Sequence, residues 1–232
     1  MKILSSATTL LIAFSIVSCQ KQDLSQDQTA SSLAINLKAS NPAVVLRMAQ
    51  GLGNSAKTES VNLVWKTAKA SADMLKFEAE KNGAEVEFKS KVQQTVDLFN
   101  ASSNLGNISI PAGTYDEVEL RVNLSPNGAV PALAMTGTLE TAAGSTPVSF
   151  TANEAIEVKG EKKNVSLNGS SLQNADIPLN FSLVVKGITS AEFDNAIRTN
   201  GVIMISASDN ASLYSKIVKN LRELKEESEF HR

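Results

Sequence analysis

Residues Asn107 to Leu124, NISIPAGTYDEVELRVNL, alternate so regularly that extended chain is the conformation that suits them. Ile108, Ile110, Val118, Leu120, Val122 and Leu124 share one parity, while Ser109, Glu117, Glu119, Arg121 and Asn123 take the other, which is the pattern of two half-buried strands. Pro111 has no N–H to give a ladder, and Gly113 can take the positive φ that the third residue of a type II turn requires. The run therefore predicts a hairpin around which the remaining segments pack.

Those segments repeat the same signal. Leu33, Ile35 and Leu37 alternate with polar or small residues until Asn41-Pro42 breaks the run, and Val44 to Met48 suits either a strand or a short helix. Val61, Leu63 and Trp65 share a parity, so the single Trp is expected in the core rather than exposed as a sugar platform. Val96, Leu98 and Phe99 form a short apolar patch. Ser125-Pro126-Asn127-Gly128 is a turn, and further strands are marked by Leu133, Met135 and Leu139, by Val148 and Phe150, by Ile156 and Val158, and by Val165 and Leu167. A long strand is expected from Ile177 to Val185. Many strands separated by Gly, Pro and Asn turns, without alternating helices, predict a mainly β chain: an antiparallel β-sandwich, Ig-like or prealbumin-like.

Lys81-Asn82-Gly83 is the strongest local turn signal, because Asn-Gly fits a type I′ hairpin. Pairing 81 with 84 sets Phe77 opposite Phe88 on the inner side. On the outer side it sets Glu80 opposite Glu85, Glu78 opposite Glu87 and Lys76 opposite Lys89. Four carboxylates on one face repel unless lysines, a cation such as calcium or a basic partner offset them, so Glu78, Glu80, Glu85 and Glu87 are the candidate binding face. Solvation with help from Lys81, Lys89 and Lys91 is the plainer reading.

The chain changes character near its end. Thr189 to Glu192 has capping-box spacing and should start a short helix carrying Phe193 and Ile197. Gly201 to Ser206, GVIMIS, is apolar without alternation, as in a strand covered on both faces. A C-terminal amphipathic helix over 211–227, capped by Asn210 or Ser208, presents Leu213, Ile217, Leu221 and Leu224 on one stripe and should supply that cover.

Composition excludes several functions. Lys and Arg number 22 against 24 Asp and Glu, so the strongly basic footprint of a nucleic-acid binder is missing. One histidine, His231, leaves no candidate for a buried Ser-His-Asp or Cys-His arrangement, and no catalytic residues are assigned. Aromatic residues are 5% of the chain, which weakens a sugar-binding reading; Tyr115 and Tyr214 are the main candidates for rings outside the core, and each is expected to be a packing residue with a wet hydroxyl.

The one cysteine, Cys19, cannot form an intramolecular disulfide. Lys2 gives a positive start, Leu10 to Val17 is an apolar run too short to span a bilayer, and Ser18 is small. Ile16-Val17-Ser18-Cys19 resembles the lipobox of bacterial lipoproteins. That resemblance implies a signal peptide over 1–18, diacylglyceryl transfer to Cys19, cleavage before it and acylation of the freed amine. Residues 19–32 then read as a polar tether and 33–232 as the folded domain. Gln20-Lys21-Gln22-Asp23 is similar to the surface-export signal of Bacteroidota lipoproteins, although Gln22 stands where an acid is expected. The outer surface and the periplasmic leaflet of the outer membrane both stay open.

Phe88 onward, with Val96-Asp97-Leu98-Phe99, Gly106 to Tyr115 and the stretch Ile203 to Tyr214, resembles a group of Bacteroidota cell-envelope lipoproteins that share a Pro-Ala-Gly-Thr-Tyr hairpin. The resemblance implies a sandwich and an envelope location, and it brings no catalytic residue. The expected function is a lipid-anchored binding or interaction module, without catalytic activity, for a glycan or protein ligand. A structural envelope component assembling with other envelope proteins is the alternative, and a carboxylate-dependent glycan hydrolase ranks behind both. The expected partners are the membrane, through the lipid anchor, and that ligand; no nucleic acid and no firm cofactor are expected.

Overall fold

The computed structural model describes residues 30–47, 61–100, 103–169 and 172–231. Ile16, Val17, Ser18 and Cys19 lie outside the described residues, as does most of the expected tether. The first strand, β1, runs Ala30–Ser40 and so includes three residues before the expected boundary at 33. Ser31 explains the difference. It is buried, and its hydroxyl donates to the Asn168 carbonyl at 3.0 Å.

The chain is mainly β and forms two sheets, neither closed into a barrel. Its remaining strands are β2 (Ala43–Leu46), β3 (Val61–Lys81), β4 (Ala84–Asp97), β5 (Asn104–Pro111), β6 (Gly113–Leu124), β7 (Leu133–Thr141), β8 (Gly144–Ala152), β9 (Ile156–Leu167), β10 (Gln173–Asn180), β11 (Arg198–Thr199), β12 (Val202–Ile205), β13 (Lys225–Glu227) and β14 (Glu229–His231). The helices are α1 (Phe181–Val184), α2 (Ser190–Asp194) and α3 (Ala211–Glu223). The smaller sheet has the order β14-β10-β1-β5. The larger runs β11-β12-β8-β7-β3-β6-β9-β13, with β2 and β4 also paired to β3.

The spine of the larger sheet is β3, 21 residues long. Its first half pairs with β2 and β7, its second half with β4 and β6. A register shift falls within each zone, at Trp65/Thr67 opposite β7 and at Ala72/Met74 opposite β4 and β6, and each bulge adds twist and re-aims the strand. Leu63, Trp65, Leu75 and Phe77 are all buried along it. The inner face meets β1, β5 and β10 of the smaller sheet in one continuous hydrophobic cluster. Trp65 sits there edge-on to Phe181 at 6.2 Å, as its parity predicts.

The expected hairpin at 107–124 is not one. Its two strands form with the predicted alternation, but β5 belongs to the smaller sheet, paired to β1, and β6 to the larger, between β3 and β9. Pro111-Ala112-Gly113 is a corner between sheets. Alternation reports which faces are buried and says nothing about which strand is the neighbour.

Most strand pairs are antiparallel, as expected, and three are not. β1 with β10, β8 with β12 and β9 with β13 are parallel, because long crossovers bring the C-terminal strands back to both sheets in the same direction. The strand expected at 177–185 ends at Asn180, whose side chain accepts the Ser182 N–H at 3.1 Å and turns the chain into α1. Phe181 and Val184 then bury at helical spacing.

The capping box of α2 is present, Thr189 N–H donating to Glu192 Oε2 at 3.1 Å, but the helix ends at Asp194 and Ile197 is exposed. Asn210 holds the N-cap position of α3 without capping it. With φ near 50° it clamps instead, accepting from Ile197 N–H and donating to the carbonyls of Ile197 and Met204. The helix expected over 211–227 stops at Glu223. Leu224 turns extended, and the following residues join β9 as β13 because the Lys-Glu-Glu-Ser run offers no further apolar stripe. α3 packs on β9, α1 and β12, with Leu213, Ile217 and Leu221 inward. Within β12 only Ile203 and Ile205 are fully buried; Val202 and Met204 are half-buried, so its second face is covered only in part.

Candidate binding face

The outer face of the larger sheet is built from odd and even residues that the core rejects. Across β4, β3, β6 and β9 the register aligns Glu87, Glu78, Glu119 and Glu161 in one row. Two residues along the strands, Lys89, Lys76, Arg121 and Lys159 form a second row, entirely basic. On the other side Glu85, Glu80, Glu117 and Lys163 form a third. The four glutamates expected from sequence are therefore brought together with the predicted cross-strand pairs, and β6 and β9 enlarge the cluster.

Like charges directly opposite cost up to about 1 kcal/mol per pair, so the attraction must run along the strands. It does. Lys76 pairs with Glu78 and, at 3.2 Å, with Glu87; Lys89 reaches Glu87 at 2.6 Å. Arg121 pairs with Glu119, with Glu78 at 2.8 Å and with Glu157 at 3.5 Å; Lys159 reaches Glu157 at 3.3 Å and Glu119 at 3.6 Å. Burial works against the charge of Arg121, and Glu119, Glu78 and Glu157 outweigh it, holding its pKa above the usual arginine value. Lys76 is raised by its bond to Glu78, then against burial by Glu87, and Glu87 is lowered by Lys89 and Lys76.

The third row is different. It carries one basic residue, Lys163, 3.9 Å from Glu117, beside the three carboxylates of Glu80, Glu85 and Glu117. Glu78, Glu80, Glu85, Glu87, Glu117 and Glu119 line an open recess of about 190 Å³. Among the described residues no group of three or more His, Cys, Asp or Glu is arranged to hold a metal ion. The calcium reading gains no support here, because the basic row already engages the inner carboxylates.

Both tyrosines are core residues, not surface platforms. Tyr115 is fully buried, edge-on to Phe77 at 5.7 Å, with Lys81 lying 5.4 Å over its ring, and burial raises its pKa. Tyr214 stacks on Phe150 and donates to Glu154 Oε1 at 2.8 Å; Arg222 donates to Glu154 Oε2 at 2.6 Å. Burial, then the Glu154 bond, pushes the Tyr214 phenol up to about 12. His231 lies half-exposed on β14, 3.9 Å from Asp176, a carboxylate already bonded by Asn36 and Lys38.

Sequence reasoning missed Glu117, Glu119, Arg121, Glu157, Lys159, Glu161 and Lys163 as members of the face. Their alternation was legible, but the lateral order β4-β3-β6-β9 was not. No family model, curated protein or solved structure matches the chain. No helix among the described residues is long and apolar enough to cross a membrane.

Proposed function

We propose that this chain is a non-catalytic binding module of the bacterial cell envelope, tethered by lipid on Cys19, which presents the acidic end of its charged sheet face to a basic protein partner. The observation that carries the reading is the third row: at the recess it holds three glutamates, Glu80, Glu85 and Glu117, and one lysine, Lys163, 3.9 Å from Glu117, while the glutamates of the row behind them face four basic side chains. A four-strand platform with an excess of negative charge at one end favours a complementary cationic surface and orients it.

Binding rather than hydrolysis fits the protonation chemistry. A glycosidase needs one carboxyl held protonated by burial. Among the described residues, the carboxyls of Glu87, Glu154, Glu192 and Asp209 are held below their ordinary values by hydrogen bonds and nearby cations, so none of these four suits that role. The bacterial-envelope location rests on the Ile16 to Cys19 pattern and on the polar stretch after it.

The test is titration of the full-length chain with a lysine-rich peptide at low and moderate salt. Binding should weaken with salt and fall several-fold in the Glu80→Gln/Glu117→Gln variant. Equal binding by that variant, or none by the unmodified chain, would sink the proposal.

A further inference from the structure

The hairpin strand β4 has an open side. Among the described residues its backbone ladder is with β3 alone; past Lys91 it runs beside β5, where Gln94 donates to the Asn104 carbonyl at 3.0 Å, so the open edge is the stretch from Glu85 to Lys91. In a two-residue hairpin the residues flanking the loop, here Lys81 and Ala84, exchange both hydrogen bonds. Even-numbered residues near the turn therefore spend their backbone groups on β3. Glu85, Glu87, Lys89 and Lys91 turn theirs to the open edge. Such an edge is a template for another strand unless something blocks it.

Its ends are fixed on both sides. Asn82-Gly83 closes one, and the register shift at Ala72/Met74, opposite the chain just after Lys91, closes the other. The regular segment between them reads Glu85-Val86-Glu87-Phe88-Lys89-Ser90-Lys91, with acids before Phe88 and bases after it.

We propose that this edge pairs with the same edge of a second copy of the chain, antiparallel and two-fold symmetric about Phe88. In that register Glu87 faces Lys89 of the second copy and Glu85 faces its Lys91, twice over by symmetry. The four odd residues on each strand exchange about eight backbone hydrogen bonds. Sliding the dyad to Glu87 sets that residue against itself; sliding it to Lys89 does the same for the lysine. Parallel in-register stacking sets every charge against its like. Only the Phe88-centred register is complementary throughout.

The inner face agrees. Phe88 and Val86 are both half-buried on that face, with the Phe88 ring edge-on to Phe77 at 6.1 Å between centroids. The dyad makes Phe88 with its symmetry mate a close, non-hydrogen-bonded pair, where side chains approach most nearly. The charged rows also continue. Glu119, Glu78 and Glu87 of one copy run into Lys89, Lys76 and Arg121 of the other, so each acidic row ends on a basic one.

The test uses the full-length chain in mild detergent, one copy tagged, with capture of an untagged copy as the readout. Tagged unmodified chain should retain untagged unmodified chain. Glu87→Lys should retain itself about tenfold less, since two attractive pairs become repulsive, and Lys89→Glu should behave likewise. Tagged Glu87→Lys should nevertheless retain untagged Lys89→Glu, because the mixed dimer restores both pairs, and this rescue also shows that each variant folds. Capture indifferent to these charges, no rescue in the mixture, or no self-capture by the unmodified chain would each overturn the proposal.

Discussion

The hydroxyl of Tyr115 donates to the carbonyl of Pro111, four residues upstream, at 2.6 Å. This bond ties the first turn of β6 back to the last residue of β5 and so fixes the angle at which the chain leaves one sheet for the other. Lys81 reinforces it from the neighbouring hairpin, donating to the Ala112 carbonyl at 3.2 Å. Replacing Tyr115 with Phe keeps the ring on Phe77 and removes only the bond. The urea midpoint should fall by the equivalent of about 1 kcal/mol, with the slope unchanged.

That corner shows where sequence reasoning stops. Each strand at 107–124 was legible, because Ile108, Ile110, Val118 and Leu120 must all face a core. The turn chemistry of Pro111 and Gly113 suits a corner as well as a hairpin. Only the partner strands decide between them, and those lie far away in sequence. At Asn82-Gly83 the turn itself sets the register, so Glu78 opposite Glu87 was predictable from a dozen residues. Glu119 and Lys159 were not, since their place on the face depends on β6 and β9 being adjacent. The end of α3 failed for another reason: Lys225 to Glu227 carry helix-compatible side chains, and the free edge of β9 claims their backbone.

Gly137 stands where β7 crosses the first bulge of β3. A Cβ there would lie 2.3 Å from the Val64 carbonyl oxygen and 3.0 Å from Trp65 Cα, both backbone atoms that cannot step aside. Gly137→Ala should therefore cost about 2 to 3 kcal/mol, measured by denaturant unfolding. Gly83→Ala meets nothing within 4 Å and is strained only by its φ of 75°, so it should cost less.

The Tyr214 phenol, held near 12, makes stability fall in alkali. Below pH 10 the group is neutral folded or unfolded and the contribution is complete; between 10 and 12 only the unfolded phenol ionises, and stability is lost as pH rises through that window. Glu154 gives the opposite limb. Its folded pKa is lowered, first by Tyr214 and then by Arg222, so its contribution is present above pH 4.5 and lost as pH falls through the folded value. Tyr214→Phe should flatten the alkaline limb of melting temperature against pH. It should also remove the later part of the phenolate absorbance rise.

Leu221 is fully buried on α3, one turn past Ile217. Asn220 beside it donates to the carbonyls of Val184 and Lys186 at 2.9 Å each, which locks the helix over α1. A leucine so enclosed leaves a cavity when truncated. Leu221→Ala should cost about 2 to 4 kcal/mol, and an unchanged denaturation midpoint would show that the helix does not hold the domain together.

The proposed anchor makes a separate prediction about where the protein is found. Among the described residues no helix offers a membrane span, and the charged outer face is a poor surface for hydrocarbon. On the proposal, membrane attachment comes from Cys19, where several acyl chains would bind far more firmly than one chain, whose hold is marginal and reversible. Cys19→Ala should shift the protein from the membrane pellet to the soluble fraction after carbonate washing, without changing the melting temperature of the folded domain. Retention of Cys19→Ala in the washed membrane would place the anchor elsewhere. It would also remove the main support for an envelope location, while leaving the charged face and its proposed partner untouched.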